Sequence, residues 1–357
     1  MTRDGGPLTL DGGPAGGGAV ARLEAHLAPL VGTRTVAGLV YAVVTPDGQA
    51  TGELPGTGGK PLGPHASVET GSVTKVFTAL LLADMTERGE AGLDDLIAHH
   101  LPAEVADGCP AAAQITLRHL ATHTSGLPRL PRNLIPMALR HPSDPYARYT
   151  TAHLFRALRA ARMPATPGYQ YSNFGFGLLG YLLSHTAGRS YGELITDRVT
   201  GPLGLTETGI GMPDGMTAAT GHRAGLRRRS GRPTPPWQLG ALAGAGALRS
   251  TAADLGRFLA VNLNPAATPL QPAFEVAQRP QPQAPDGPLT GLAWHIATLA
   301  GRPVLWHNGG TGGFSAMLAL DRAAGYGVAA VATTGPRRDL PLDRAVFTAL
   351  AELTDGR

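Results

Sequence analysis

The sequence is poor in residues that would tie it to disulfides, nucleic acid or a membrane. Cys109 is its one cysteine, which excludes a disulfide within the chain and suits a reducing compartment. The formal net charge of +4 over 357 residues is too small to favour nucleic acid as a partner. The arginine run 227–229 is local and is expected to be a solvated loop.

Long apolar runs and metal-binding patterns are also missing. No apolar stretch is long enough to cross a membrane, and the opening MTRDGGPLTLDGGPAGGG lacks the apolar core of a signal peptide. We therefore expect a cytoplasmic protein with no membrane partner. His99, His100, His119 and His123 do not stand with carboxylates at metal-ligand spacing, so we expect structural or surface histidines, no metal and no cofactor.

The two ends of the chain both have strand character. Residues 37–46 are apolar and β-branched and end at Asp47-Gly48, a hairpin-turn signal. Four more strands are predicted at 291–299, 303–307, 314–320 and 326–333, and helices at 19–31 and 341–354. This pattern predicts an α+β fold in which one antiparallel sheet is built from both termini and flanked by helices.

The middle of the chain is predominantly helical. Residues 73–88 are apolar on almost every side, as in a buried helix. Other helices are predicted at 151–162, 174–187, 191–199 and 251–263, and a long surface loop is predicted at 264–289 because of its proline and glutamine content. We therefore expect a flexible segment 1–18, a sheet lobe from 19–70 and 290–357, and an inserted helical lobe from 71–289.

Ser72 and Lys75 open the buried helix with a spacing that places them on one helical face. A serine hydroxyl needs a nearby base to act as a nucleophile, and a lysine can be that base if burial or positive charge lowers its pKa. The chain has 28 arginines but only two lysines, Lys60 and Lys75, and a guanidinium cannot accept a proton. The alternative is a helix cap followed by an ordinary lysine.

Two further segments carry candidate site residues. Tyr171 lies just before a predicted helix, and near two cationic groups it would ionise more easily and act as base and then acid. Asn173 offers a donor and an acceptor to a substrate amide. In the segment HNGGTGG, His307 would supply hydrogen bonding or charge, and glycines such as Gly309 would let a substrate backbone approach. Taken alone, these segments could also be an aromatic anchor with a helix cap and a plain glycine-rich turn.

Together, the elements Ser-x-x-Lys, Tyr-Ser-Asn and His-x-Gly resemble those of the serine β-lactamase and D,D-peptidase superfamily, and the middle element resembles the class C branch. The resemblance runs from about residue 38 to about residue 335. Four further segments carry it: 115–127 (ITLRHLATHTSGL), 167–173 (PGYQYSN), 202–205 (PLGL) and 244–255 (GAGALRSTAADL).

The resemblance implies an active site between a sheet lobe and a helical lobe. It implies Ser72 as the acylated nucleophile, Lys75 as its partner and Tyr171 as base and acid. Asn173, His307 and Gly309 would bind substrate, and the backbone N–H groups of Ser72 and Gly310 would form the oxyanion hole.

One departure bears on the substrate. The third element has His307 where β-lactamases and peptidases of this superfamily usually have lysine, and a neutral imidazole would hold a substrate carboxylate less firmly. We expect a hydrolase of a small ester, amide, lactam or D-amino peptide. The alternatives are an acyltransferase that passes the acyl group to an amine or alcohol in natural-product biosynthesis, and a binding protein on an inactive fold. The oligomeric state is not indicated by the sequence.

Overall fold

The structure is a computed structural model that describes residues 13–14, 16–31, 36–56, 61–63, 65–164, 168–212, 216–224, 231–337 and 340–355. The strands are β1 (Gly13–Pro14), β2 (Gly38–Thr45), β3 (Gly48–Pro55), β4 (Val68–Glu69), β5 (Gly209–Ile210), β6 (Leu248–Ser250), β7 (His295–Leu299), β8 (Arg302–Gly310), β9 (Ser315–Asp321) and β10 (Tyr326–Ala332). The helices are α1 (Gly17–Val31), α2 (Thr74–Glu87), α3 (Ala103–Ala106), α4 (Leu117–Ala121), α5 (Ile135–Arg140), α6 (Thr151–Arg159), α7 (Asn173–Ala187), α8 (Tyr191–Ile195), α9 (Ala252–Leu263), α10 (Gln271–Gln278) and α11 (Leu342–Asp355).

A large sheet joins the two ends of the chain, as the sequence predicts. Its strand order is β1-β3-β2-β10-β9-β8-β7, and every neighbouring pair except β1 with β3 is antiparallel. The closing contact pairs β2 with β10, where Leu39 stands opposite Ala332 and Val44 opposite Gly327. The fold is therefore α+β, with its main sheet built from both termini.

Helices cover both faces of this sheet, which explains why β2 is buried along its whole length. Successive side chains of a strand point to opposite faces. Leu39 and Val43 accordingly pack in the cluster formed with α1 and α11, while Val40 and Ala42 pack in the cluster that includes α2 and α9. Helix α9 packs against β2, β3 and β10 of the main sheet. The expected division of the chain had assigned it to the helical lobe, residues 71–289.

Helix α2 is the central element of the helical region and is buried from Thr74 to Met85. It begins directly after a 3-10 turn at Gly71–Val73, so Ser72 lies in that turn and not in the α-helix itself. A second, three-stranded sheet of order β4-β6-β5 leads into this turn. Thr78 Oγ1 of α2 donates to the carbonyl of Gly244 at 2.8 Å, which holds the 3-10 segment Gly240–Ala245 against the helix.

The prediction of a surface loop at 264–289 is wrong for the first half of that range. Residues 265–267 form a 3-10 turn, and α10 follows at Gln271–Gln278 and packs against α2. Its proline, Pro272, stands in the first helical turn, where a missing N–H costs no hydrogen bond. Ala273, Phe274 and Ala277 supply the buried face that the proline and glutamine content concealed.

Some predictions fall on residues outside the described ranges. These are the arginine run 227–229, Pro167 and most of segment 1–18. Within that segment Gly13–Pro14 pair with β3, and α1 begins at Gly17, two residues before the predicted start. Cys109 is buried and unpaired, as expected. In the described part of the chain no helix has the length and apolarity to traverse a bilayer, and no cluster of potential ligands is arranged for a metal ion.

Candidate active site

Ser72 lies where the small sheet, α2 and the end of β8 meet. The turn that carries it begins at Gly71, whose φ of 51° lies in the left-handed region that glycine tolerates best. Strand β8 runs against this turn so closely that a Cβ on Gly309 would lie 2.1 Å from the Thr70 carbonyl oxygen and 3.0 Å from the Ser72 nitrogen. The sequence explained Gly309 by the approach of a substrate. The structure adds a second reason, because Gly309 lines the cleft and its close neighbour is the backbone that carries Ser72.

Lys75 is fully buried beneath Ser72, and its Nζ has three polar neighbours. It lies 3.0 Å from Ser72 Oγ, 2.9 Å from Asn173 Oδ1 and 2.7 Å from the Ala245 carbonyl oxygen. Burial lowers the pKa of Lys75 well below its usual value, and the positive charge of Arg129 lowers it further. The structure therefore favours a neutral amine at this position.

A neutral Lys75 fits the hydrogen bonds around it. A neutral amine has two protons and one lone pair, and two of its three neighbours, the carbonyl oxygens of Asn173 and Ala245, can only accept. Once both protons are donated to these oxygens, the lone pair is left for Ser72. The predicted proximity of Ser72 and Lys75 is thus present.

Tyr171 lies on the other side of Ser72, and the two side chains share a hydrogen bond. The Lys75 Nζ is 5.0 Å and the Arg129 guanidinium carbon 5.2 Å from the centre of its ring. Burial nevertheless raises the pKa of Tyr171, and the lowering by Ser72 and Arg129 is smaller. The expectation that neighbouring cations make this phenol ionise easily is therefore wrong, because the effect of burial outweighs theirs.

The segment that carries Tyr171 is held by the loop that follows α4. His123 Nδ1 accepts a hydrogen bond from the Ser172 N–H at 3.0 Å, and the His123 carbonyl accepts one from the Gln170 N–H at 2.7 Å. Ser172 Oγ donates to the Pro128 carbonyl at 2.8 Å and caps α7 by accepting from the Gly175 N–H. Tyr171 is therefore fixed from both sides along the chain.

Asn173, the first residue of α7, is brought into the site as predicted but has other partners than expected. Its Oδ1 accepts from Lys75, and its side chain also bonds to Tyr146. Asn173 lines the cleft beside Ser72. The side-chain carbonyl oxygen of Asn173 thus orients Lys75, and its NH2 group is the part left for a substrate.

The predicted substrate contact by His307 is wrong. Its side chain is fully buried, it does not line the cleft, and its Nδ1 lies 2.6 Å from the Asn308 carbonyl oxygen. Burial, together with His295 and Lys75, lowers the pKa of His307 well below its usual value. Its ring lies 6.3 Å from that of Tyr171, centre to centre, so it is part of the packing behind the phenol.

The Gly310 N–H has the direction expected of an oxyanion donor. Thr311 N–H donates to the Phe314 carbonyl at 3.0 Å, and hydrogen-bonded and non-bonded pairs alternate along an antiparallel ladder. The pair Gly310 and Ser315 is therefore non-bonded, and the Gly310 N–H points away from β9. The Ser72 N–H belongs to the first turn of a helix, where N–H groups have no intrahelical acceptor.

The cleft above Ser72 has a volume of about 790 Å³ and is lined by both parts of the fold. Its lining includes residues that were not predicted from the sequence, among them Arg129, Tyr146, Trp237 and His295. The rings of Tyr146 and Trp237 meet edge to face at 5.2 Å. His295 stacks on Trp306 at 4.5 Å, and burial and Lys75 lower its pKa to about 4, so it is neutral at neutral pH.

Comparison with known proteins agrees with this geometry. Residues 23–352 match the family model described as Beta-lactamase, so the chain belongs to the β-lactamase family. It is 29% identical over 286 residues to the D-alanyl-D-alanine-carboxypeptidase/endopeptidase AmpH of Escherichia coli K12, covering 75% of this chain and 71% of that protein.

Two solved structures share the fold. A β-lactamase from Sulfitobacter sp. EE-36 superposes with a TM-score of 0.81 at 23% identity, over 95% of this chain and 99% of that one. A class C β-lactamase from Rhodobacter sphaeroides superposes with a TM-score of 0.77, also at 23% identity, over 95% of this chain and 98% of that one.

Proposed function

We propose that the protein is a serine hydrolase that transfers the acyl group of an ester or amide to Ser72 and then to water. The observation that carries this proposal is the contact of 3.0 Å between the buried Lys75 Nζ and Ser72 Oγ, with the same nitrogen held by the carbonyl oxygens of Asn173 and Ala245. Tyr171 completes the arrangement on the other side of Ser72. Family membership supports the same chemistry.

In the acylation step, Ser72 Oγ attacks the substrate carbonyl carbon and its proton moves to Lys75 Nζ. The negative charge that develops on the carbonyl oxygen is stabilised by the N–H groups of Ser72 and Gly310. The bond to the leaving group then breaks. Tyr171 donates its proton to the leaving atom and is reprotonated by the Lys75 ammonium, which returns both residues to their starting states.

In the second step, water attacks the acyl-Ser72 ester. Its proton moves to the neutral Lys75 amine, directly or through Tyr171, and the tetrahedral intermediate uses the same two N–H groups. Collapse of the intermediate breaks the bond to Ser72 Oγ, which takes the proton back from Lys75. The acid product leaves, and the resting hydrogen bonds are restored.

Ser72→Ala tests the proposal. We expect kcat/KM for p-nitrophenyl acetate to fall by at least ~10³-fold, because no other group replaces the nucleophile. Ser184→Ala, which removes a hydroxyl from the interior of α7, is the matched control and should retain activity. Intact mass after a fluorophosphonate should show one adduct, absent in Ser72→Ala. Full turnover by Ser72→Ala, or an adduct on another residue, would refute the nucleophile.

The substrate class is open within this chemistry. The relative AmpH is named for D-alanyl-D-alanine cleavage, so the panel should hold D-alanyl peptides and nitrocefin beside p-nitrophenyl esters. An acyltransferase would divert the product from acid to amide when amines are added. A constant yield of acid across a broad amine panel would favour hydrolysis. A cytoplasmic location remains a prediction from the sequence.

A further inference from the structure

Arg129 is a cation at the cleft wall that the proposed mechanism does not use. It is exposed, it lines the cleft together with Ser72, and its guanidinium carbon lies 5.2 Å from the centre of the Tyr171 ring. Among the described residues, no carboxylate forms an ion pair with it within 4 Å. Its charge is therefore available to a ligand in the cleft.

The backbone of Arg129 is fixed relative to the catalytic segment. Its carbonyl accepts from the Asn173 N–H at 2.9 Å and from the Phe174 N–H at 3.3 Å, at the beginning of α7. The preceding residue, Pro128, accepts from Ser172 Oγ. The root of the Arg129 side chain thus stands at a fixed place beside Tyr171 and Asn173. A group held this way loses less freedom when it binds a ligand.

The remaining charges of the cleft point to an anionic ligand. The lining residues include three arginines, Arg129, Arg337 and Arg344, but a single carboxylate, Asp343. Asp343 accepts a hydrogen bond from Asn308 Nδ2 at 2.7 Å, and burial raises its pKa. Both histidines near Tyr171 on the sheet side, His295 and His307, are neutral at neutral pH. The cleft is therefore positive, and its charge is carried by arginine.

We propose that Arg129 binds a carboxylate on the acyl part of the substrate and so sets a preference for anionic acyl groups. The inference rests on the proposed hydrolase function. A guanidinium presents a planar fork that matches a carboxylate with two parallel hydrogen bonds. Position favours Arg129 for this task, because it is the lining arginine that lies over Tyr171 and has its backbone tied to Asn173.

Arg129 could instead act only through its charge on Tyr171 and Lys75, whose pKa values it lowers. That role would affect every substrate alike and would move the pH profile. A role in recognition affects substrates according to their charge. A pair of substrates that differ only in a carboxylate therefore separates the two roles.

The experiment compares mono-p-nitrophenyl glutarate with its methyl ester, which has the same reacting bond and no charge. We expect Arg129→Met to lower the ratio of kcat/KM for the anionic over the neutral ester by about 10- to 100-fold, as for loss of a charged hydrogen bond. The rate on the neutral ester reports any effect of Arg129 on Lys75 and Tyr171, and it should fall less than the rate on the anionic ester. The ratio for Arg129→Lys should lie between the ratios for wild type and for Arg129→Met. Arg132→Met, an exposed arginine on the same loop outside the cleft lining, is the matched control.

Equal losses on both esters, or a shifted pH profile with an unchanged ratio, would overturn the proposal. Salt gives an independent measure, because added salt should reduce the ratio in wild type and leave it unchanged in Arg129→Met. A binding measurement tests this proposal independently of the hydrolase proposal. Glutaranilic acid and butyranilide are titrated into Ser72→Ala, which needs no turnover. Arg129-dependent preference for the acid would uphold the inference even if no ester were hydrolysed, and equal binding of both would contradict it.

Discussion

Lys75 Nζ and the Ala245 carbonyl oxygen lie 2.7 Å apart although 170 residues separate them in the chain. This bond joins α2 to the end of the 3-10 segment at Gly240–Ala245 and orients the Lys75 amine. Asn173 Oδ1 is the second acceptor, and Ser72 Oγ is the third neighbour of the nitrogen. Two carbonyl groups that take no part in the reaction thus hold the Lys75 amine beside Ser72.

Burial of Lys75 predicts a pH dependence of stability. The folded pKa lies below the unfolded value, so between the two the unfolded chain binds a proton that the folded chain does not. The contribution of Lys75 to stability is therefore complete above the unfolded pKa and is lost as the pH falls towards the folded pKa. We expect the free energy of unfolding of wild type, minus that of Lys75→Met, to rise as the pH increases from the folded pKa towards the unfolded pKa of about 10.4, with a slope of up to ~1.4 kcal/mol per pH unit. Urea denaturation at several pH values measures it, and a difference that stays flat would count against a depressed pKa.

The raised pKa of Tyr171 predicts a protonated phenol in the resting protein. Ultraviolet difference titration of wild type against Tyr171→Phe should show no tyrosinate signal from this residue below about pH 10. Tyr171→Phe should still lower kcat by about 10²- to 10⁴-fold, because the leaving group loses its proton donor. A tyrosinate that forms near neutral pH would instead make the phenolate the resting base.

Gly309 predicts a steric requirement next to the nucleophile. A methyl group there would meet the Thr70 carbonyl oxygen at 2.1 Å, so β8 or the Ser72 turn must move. We expect Gly309→Ala to reduce stability by about 1–3 kcal/mol and to slow acylation. Gly209→Ala is the control, since nothing lies within 4 Å of the added methyl group. Thermal unfolding and the rate of fluorophosphonate labelling measure both effects, and labelling at the wild-type rate would show that this contact does not set the position of Ser72.

The parts of the site that could be predicted from the sequence are local in the chain. Ser72 and Lys75 are one helical turn apart, so their spacing alone places them together, and the apolar runs at the two ends of the chain likewise predicted that β2 and β10 belong to one sheet. The presence of Arg129 and His295 beside Tyr171 depends on contacts between distant segments, which no spacing reveals. Their only sequence signal was the resemblance of the neighbouring segments to a family.

The sign of the Tyr171 pKa shift and the burial of His307 could not be predicted for a related reason. Both depend on how much water is excluded, and burial is a property of the whole fold. Helix α10 was missed because proline and glutamine are counted as loop residues wherever they stand, whereas Pro272 occupies the one helical turn that tolerates it.

The most direct test of the account uses the scarcity of lysine. With only Lys60 and Lys75 in the chain, ¹⁵N- or ¹³C-labelled lysine gives two side-chain signals, and Lys60→Arg leaves the signal of Lys75 alone. Titration by NMR should show Lys75 losing its proton well below the usual lysine range. A Lys75 signal that titrates at about 10.4, the value for a free lysine, would contradict the proposed role of Lys75 as the group that accepts the Ser72 proton.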